Sequence, residues 1–213
     1  MGTDQDMTSP SGSLTVGILL FPEVEVLDFA GPYEVFSVAG RIGPKALKLD
    51  APPFRTVTVA QSRHPVTARH GLGVVPDYDF ETVPQLDVLI VPGGVVTEPM
   101  SNPATLEWLA RTVGQARLTA SVCTGAFVLA KLGLLDGLKA TTHWEDLDDL
   151  RGQYPDIEVV EDVAFVDEGG IVTSAGISAG INMSLYLVGR LVSPDLAGLT
   201  ARQMQYDWTP QPG

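Results

Sequence analysis

The chain has 213 residues, of which 45% are hydrophobic and 18% charged, so it can form a substantial core and does not have the composition of a disordered protein. Thirteen Lys and Arg against 26 Asp and Glu give a net charge of −13, which would repel a phosphate backbone and makes nucleic acid a poor partner. One cysteine excludes an intramolecular disulfide, and the sequence lacks the roughly 18-residue apolar stretch of a membrane-spanning helix.

The organisation predicted from composition is one domain with short polar ends. Residues 1–13 are polar and acidic, without the basic start and apolar centre of a secretion signal. We therefore expect a disordered tail over residues 1–13, a single domain over 14–206, and a C-terminal tail over 207–213. The expected location is cytoplasmic, and the expected partner is a small-molecule substrate.

The first half of the chain alternates apolar runs with a helical pattern. A continuous apolar run at 14–21 is typical of a strand covered on both faces, and Pro22 ends it. The elements predicted after it are a helix at 28–39, a strand at 54–60, a hairpin at 66–75 around Gly71, and a buried strand at 86–91. That last strand runs directly into Pro92-Gly93-Gly94, where backbone amides can face a ligand.

The second half continues the alternation. Asn102 is a typical helix cap and Pro103 a typical first helical residue, so a helix should begin there. The predicted elements are helices at 103–115, 124–132, 144–152, 178–192 and 194–206, and strands at 118–122, 139–142, 163–166 and 171–174. This alternation predicts an α/β sandwich with a mainly parallel sheet, in which ligands bind beyond the carboxyl ends of the strands.

Cys123 lies at the joint between an apolar strand and a helix, which is the layout of a nucleophile elbow. The positive end of the helix dipole would favour a thiolate there, so the thiol should ionise more easily than a free one. The alternative is a buried cysteine that acts only as a small hydrophobic residue.

A reactive thiol needs a proton carrier and donors for developing negative charge. Asp28 follows the first strand on a loop and can reach the same sheet edge, where burial would raise its pKa; alternatively it caps the first helix. Gly93 and Gly94 could supply N–H donors together with the amide of Thr124, although a Pro-Gly-Gly sequence is more often only a turn.

His143 follows a short predicted strand, 20 residues after Cys123. Like most lone histidines it is more simply a structural residue than the catalytic base, and the three histidines are not spaced as a metal site. The small residues at 174–180 precede a helix and could form one wall of a pocket.

Several motifs together resemble the ThiJ/PfpI family, over nearly the whole chain. They are Phe21-Pro-Glu-Val-Glu-Val-Leu-Asp-Phe-Ala-Gly-Pro32, Val91-Pro-Gly-Gly94, Ser121-Val-Cys-Thr-Gly125, Ala140-Thr-Thr-His-Trp144 and Ser174-Ala-Gly-Ile-Ser-Ala-Gly180. This resemblance implies a class I glutamine-amidotransferase-like, flavodoxin-like three-layer sandwich. Within the family, Asp28 and Thr124 are similar to the isocyanide hydratase branch.

The resemblance implies that an isocyanide is hydrated to an N-substituted formamide. Cys123 would attack the terminal carbon as a thiolate to give a thioimidate, Asp28 would move protons, and Thr124 would orient the intermediate. Gly93, Gly94 and Ile177 would line the substrate site. The chemistry needs no metal or organic cofactor, and the family implies a homodimer with the site near the subunit interface.

Two other activities occur among relatives of this kind. Amidase-like domains of AraC-type regulators share the motifs at 140–144 and 174–180 and act as sensory modules with a following DNA-binding domain. Deglycase or glyoxalase enzymes attack carbonyl compounds, but they are associated with Glu in place of Asp28 and His in place of Thr124. The intact Cys123 and Asp28 favour a stand-alone enzyme.

Overall fold

The computed structural model describes residues 12–210, so residues 1–11 and 211–213 of the tails predicted at 1–13 and 207–213 lie outside the described residues, and the tails stay a prediction. The strands are β1 (Leu14–Leu19), β2 (Phe54–Ala60), β3 (Val66–Thr67), β4 (Gly73–Val74), β5 (Tyr78–Asp79), β6 (Val88–Val91), β7 (Leu118–Val122), β8 (Lys139–Ala140), β9 (Glu158–Val159), β10 (Phe165–Asp167) and β11 (Ile171–Ser174). The helices are α1 (Val26–Leu47), α2 (Thr97–Ser101), α3 (Pro103–Val113), α4 (Gly125–Lys131), α5 (Leu147–Gln153), α6 (Ala179–Leu191) and α7 (Pro194–Gln203).

Seven strands form one central sheet in the order β10-β11-β7-β6-β1-β2-β5. Neighbouring strands are parallel except β10, which runs antiparallel to β11. The central strands are the continuous apolar runs of the sequence, and all of β6 and β7 is buried. Strands of this kind need cover on both faces, and helices provide it.

Helices α1, α6 and α7 contact one another and form one layer, while α2 contacts both α3 and α4. The molecule is therefore the flavodoxin-like three-layer sandwich that the sequence implied. Because β1, β6 and β7 are parallel neighbours, the loops that follow them meet at one edge of the sheet. This edge carries the candidate site. Within residues 12–210 no helix is both long and apolar enough to span a membrane.

Most predicted elements are present, and the differences are local. The first helix runs from Val26 to Leu47 rather than over 28–39, and the strand predicted at 139–142 is only Lys139–Ala140. Sequence patterns did not predict the short elements β5, α2 and β9. Two to five residues carry too little periodicity to be recognised, and these elements form through pairing with neighbours.

The first helix continues past 39 because its glycines serve close packing. A Cβ on Gly40 would lie 2.6 Å from the carbonyl oxygen of Phe54, and one on Gly43 would lie 2.6 Å from Pro53 Cδ. The helix therefore lies directly against the start of β2. Packing of this kind outweighs the low helix propensity of glycine.

Gly125 and Gly152 should respond in opposite ways to alanine. A Cβ on Gly125, at the start of α4, would lie 2.1 Å from the carbonyl oxygen of Val91, whereas nothing lies within 4 Å of a Cβ on Gly152 in α5. We expect Gly125→Ala to lower the free energy of unfolding by about 1–3 kcal/mol or more, because the sheet and helix must separate. Gly152→Ala should raise it by about 0.5–1 kcal/mol through helix propensity. Urea denaturation measures both, and equal effects would contradict this packing.

Candidate active site

Cys123 stands on the sharp turn that joins β7 to α4, and its φ of 56° is in the left-handed region that side chains rarely adopt. Hydrogen bonds hold this conformation. Its N–H donates to the carbonyl oxygen of Ser174 at 3.2 Å, and its carbonyl oxygen accepts from the hydroxyl of Thr142 at 2.9 Å. The turn is the predicted nucleophile elbow, and its strained backbone is retained because both neighbouring segments fix it.

Asp28 lies in the first turn of α1 and not on a loop, and it does not cap the helix. The capping residue is Glu25, whose side chain accepts from the Val26 N–H at 3.2 Å. The carboxyl of Asp28 is completely buried, and its Oδ2 accepts from the Gly93 N–H at 3.0 Å. Its Oδ1 has no hydrogen-bond partner among the described residues. One oxygen of the carboxyl is thus held by a hydrogen bond, and the other has none.

Burial raises the pKa of Asp28 from 3.8 to about 7. The Gly93 N–H opposes this rise, the negative charge of Glu25 adds to it, and the neighbouring Cys123 thiol opposes the rise in pKa least of the three. Loss of water around the charged form outweighs the single strong donor. The carboxyl can therefore gain and lose a proton near neutral pH, as a general acid or base should.

The prediction of an easily ionised thiol is wrong for this geometry. Burial, followed by the negative charge of Asp28, raises the pKa of Cys123 from 9.0 to about 12. The backbone N–H of Thr124 lowers the pKa, but the charge of Asp146 raises it further. The amide at the helix start therefore acts in the expected direction, and it is outweighed by desolvation and by like charge.

Asp28 and Cys123 titrate as a coupled pair, because the charge of Asp28 raises the pKa of the thiol. The carboxyl, with a pKa of about 7, is the stronger acid, and the thiol pKa is about 12. Between these values the pair consists of a carboxylate and a neutral thiol. A thiolate therefore forms at neutral pH only if a base removes the thiol proton, and Asp28 is a carboxylate close enough for its charge to act on the thiol.

Gly93 and Gly94 do not present free amides to a substrate. The Gly93 N–H is bound to Asp28, and the Gly94 N–H donates to the hydroxyl of Thr124 at 2.9 Å. That hydroxyl in turn donates to the Gly94 carbonyl oxygen at 3.0 Å. The geometry gives the two glycines the task of positioning Asp28 and Thr124. It leaves the amide of Thr124 as the donor nearest the sulfur.

His143 lies close to the thiol, with Gly176 between them. A Cβ on Gly176 would lie 2.1 Å from His143 Cδ2 and 3.2 Å from Cys123 Sγ. The Nδ1 of His143 accepts from the Glu145 N–H at 3.3 Å and lies 3.5 Å from Asp146 Oδ2. His143 is thus held by its own loop. The next residue after Gly176, Ile177, is 37% exposed and lies in the turn before α6.

Thr142 and Asp146 belong to the site and were not predicted, and Ser174 was expected only as part of a pocket wall. Thr142 and Ser174 hold the elbow backbone, and Asp146 acts on the thiol by its charge. Thr142 and Ser174 lie within the sequence motifs, but a motif does not show that the Thr142 hydroxyl and the Ser174 carbonyl oxygen bind the backbone of Cys123. Among the described residues no group of three or more metal-ligating side chains occurs.

Asp28→Asn should stabilise the protein above neutral pH. The folded pKa of Asp28 lies above that of the unfolded chain, so the folded state loses stability as the pH rises from about 4 to about 7. An amide does not ionise and still accepts from Gly93. We expect the variant to gain about 2–4 kcal/mol over wild type at about pH 8 and little at about pH 4. Urea denaturation at both pH values measures this. An equal gain in Asp148→Asn, which removes an exposed carboxyl, would contradict the explanation by burial.

Comparison with known proteins shows relatives of two kinds, an enzyme and transcriptional regulators. The isonitrile hydratase of Pseudomonas putida is 39% identical over 197 residues, covering 91% of this chain and 79% of that protein. The HTH-type transcriptional regulator CdhR of Pseudomonas aeruginosa is 32% identical over 87% of this chain. The match covers 53% of the regulator, so this chain spans about half of its length.

Solved structures have the same architecture. A ThiJ/PfpI family protein from Pseudomonas syringae superimposes with a TM-score of 0.80 at 32% identity, covering 100% of this chain and 82% of that one. DJ-1beta of Drosophila melanogaster, at 19% identity, shares the fold with a TM-score of 0.78 over 92% of this chain and all of its own. The family profile described as DJ-1/PfpI matches residues 14–190. The chain therefore belongs to the DJ-1/PfpI family.

Proposed function

We propose that this protein is an isocyanide hydratase that adds water to R–NC and releases the formamide R–NH–CHO. The observation that carries the proposal is the buried Asp28 carboxyl beside Cys123, anchored through one oxygen and free at the other. Similarity to the isonitrile hydratase of Pseudomonas putida, at 39% identity, supports the same substrate class.

The first step joins sulfur to the substrate carbon. The Asp28 carboxylate takes the thiol proton while a sulfur lone pair attacks the terminal carbon of the isocyanide. Asp28 then gives that proton to the same carbon, so the product is the thioimidate Cys–S–CH=N–R. The pair suits this transfer for two reasons. The thiol keeps its proton until the substrate is present, and a carboxyl with a pKa of about 7 can release the proton again to the substrate carbon.

The second step hydrolyses the thioimidate. The Asp28 carboxylate takes a proton from water as the water oxygen attacks the carbon, and the proton passes to nitrogen. The C–S bond then breaks as the C=O bond of the formamide forms, and the hydroxyl proton returns to sulfur. The net reaction consumes one water and one isocyanide and needs no other reagent. Thr124, held by Gly94, keeps its N–H directed at the sulfur.

We carry forward the homodimer and the cytoplasmic location as predictions. Exposed apolar side chains near the site support an interface there. Leu27 and Tyr33 on α1 are 38% and 37% exposed, and Ile177 before α6 is 37% exposed. Exposed apolar side chains on both of these segments support the predicted contact between subunits.

The second candidate function is that of a sensory domain. The similarity to CdhR, at 32% identity over 87% of this chain, favours it. A sensory domain would bind a small molecule in the same pocket and would not consume it. Activity assays separate these two functions.

Cys123→Ala should abolish hydration. The variant lacks the nucleophile, and we expect its kcat/KM for cyclohexyl isocyanide to fall by about 10³-fold or more. Loss of isocyanide absorbance and formation of N-cyclohexylformamide measure the reaction. Methylglyoxal serves as the control substrate for carbonyl chemistry. Wild type that consumes no isocyanide faster than Cys123→Ala would refute the proposal.

The pH dependence of kcat/KM should follow the ionisation of the Asp28 carboxyl. The carboxylate form accepts the thiol proton, so kcat/KM should rise about tenfold per pH unit below about 7 and level off above it. Asp28→Asn should lower kcat/KM by about 10²-fold or more and remove this dependence, because the amide cannot accept a proton. A profile that is flat between about pH 5 and 8 in wild type would argue against Asp28 as the base.

A further inference from the structure

A groove with a volume of about 640 Å³ begins at Gly94 and Thr124 and has no role in the proton transfers described above. It extends from the nucleophile elbow along α4 towards α5. We call it the α4 groove and define it by Val96, Met100, Phe127, Asp146, Asp149 and Tyr154, together with the two residues at its inner end.

The floor of the α4 groove is apolar and aromatic. Phe127 is buried, and its ring packs edge to face against that of Tyr154, with centroids 6.4 Å apart. Val96 and Met100 are partly buried and pack against the same core. A surface of this kind gains free energy by covering an aliphatic or aromatic group, and Met adapts to its shape.

The inner end of the groove lies next to the thiol, because Thr124, which lines the groove, directly follows Cys123 in the chain. The amide and hydroxyl of Thr124 lower the pKa of Cys123, and the charge of Asp146 raises it. Both residues also line the groove. A substrate whose terminal carbon reaches the sulfur past Thr124 would place its other end between Thr124 and Asp146.

The rim of the groove is more negative than positive. Among the charged residues that line the groove, Asp146 and Asp149 are acidic and Lys131 is basic. The whole chain carries a net charge of −13, which adds to the repulsion of an anion. An anionic group in the groove would approach two carboxylates, whereas a neutral or cationic group would not be opposed.

We propose that the α4 groove binds the R group of the isocyanide and selects aryl and alkyl groups that are neutral or cationic over anionic ones. This inference rests on the proposed hydration. It assigns specificity to Met100 and Asp149, neither of which takes part in the proton transfers.

The steric test changes Met100 in both directions. Met100→Trp fills the groove, so kcat/KM for cyclohexyl isocyanide should fall about tenfold or more. Methyl isocyanide is too short to reach the groove, so its kcat/KM should change less than about twofold. Met100→Ala opens the groove, so kcat/KM should stay the same for both substrates or rise for cyclohexyl isocyanide. A parallel loss for both substrates in Met100→Trp, with the variant folded by circular dichroism, would overturn the assignment.

The charge test compares 4-isocyanobenzoate with its trimethylammonium analogue. Wild type should prefer the cation by about tenfold in kcat/KM, and Asp149→Asn should reduce that ratio by about threefold. Asp148→Asn is the matched control, because it removes an equal charge from the neighbouring position, where the side chain is 95% exposed and bonded to Arg151. Equal reductions in the two variants would show a long-range charge effect and refute selection by the groove.

Failure of this inference is distinguishable from failure of the proposed function. If wild type consumes methyl and cyclohexyl isocyanide but neither test shows selectivity, the groove assignment is wrong and the hydratase stands. If wild type consumes neither isocyanide, the hydratase proposal is wrong. Calorimetric titration of Cys123→Ala with N-cyclohexylformamide gives a readout without turnover, and Met100→Trp in that background should weaken its binding about tenfold.

Discussion

The hydrogen bond from the Gly93 amide to the Asp28 carboxyl is the contact around which the site is arranged. It joins the first turn of α1 to the loop after β6, which are 65 residues apart in the chain. A Cβ on Gly93 would lie 2.6 Å from the Thr124 amide nitrogen and 2.9 Å from Asp28 Oδ2, so only glycine allows the three segments to meet. A carboxyl with this one donor keeps a high pKa, and its second oxygen is left without a hydrogen-bond partner among the described residues.

The parallel sheet makes that meeting possible. Strands β1, β6 and β7 are adjacent, so Asp28, Gly93 and Cys123 lie at one edge although each belongs to a different unit of the chain. The fold stabilises the strained backbone at Cys123 through Ser174 and Thr142. Rigid neighbours of this kind keep the sulfur in place, which is a condition for rapid chemistry at a single atom.

The long apolar runs were sufficient to predict the central strands and the joint at Cys123. A strand that is buried on both faces appears in the sequence as an uninterrupted run of apolar residues. The motifs also indicated that Asp28, Thr124 and the Gly93-Gly94 loop converge. Sequence reasoning could not predict what each polar group binds. The Gly94 amide was expected to donate to negative charge on a substrate, yet it donates to the hydroxyl of Thr124. The thiol was expected to ionise easily, but its pKa depends on burial and on the distance to Asp28 and Asp146, which only packing determines.

The proton on the sulfur also has a consequence for oxidation. Peroxides react with thiolates far faster than with thiols, and the nucleophile in this site remains a thiol at neutral pH. A cysteine kept in this form resists conversion to sulfenic and sulfinic acid while no substrate is bound. Under the proposed function, the carboxylate that accepts the proton during attack would thus also preserve the sulfur between turnovers, and peroxide would inactivate this chain more slowly than a relative with a permanently ionised cysteine.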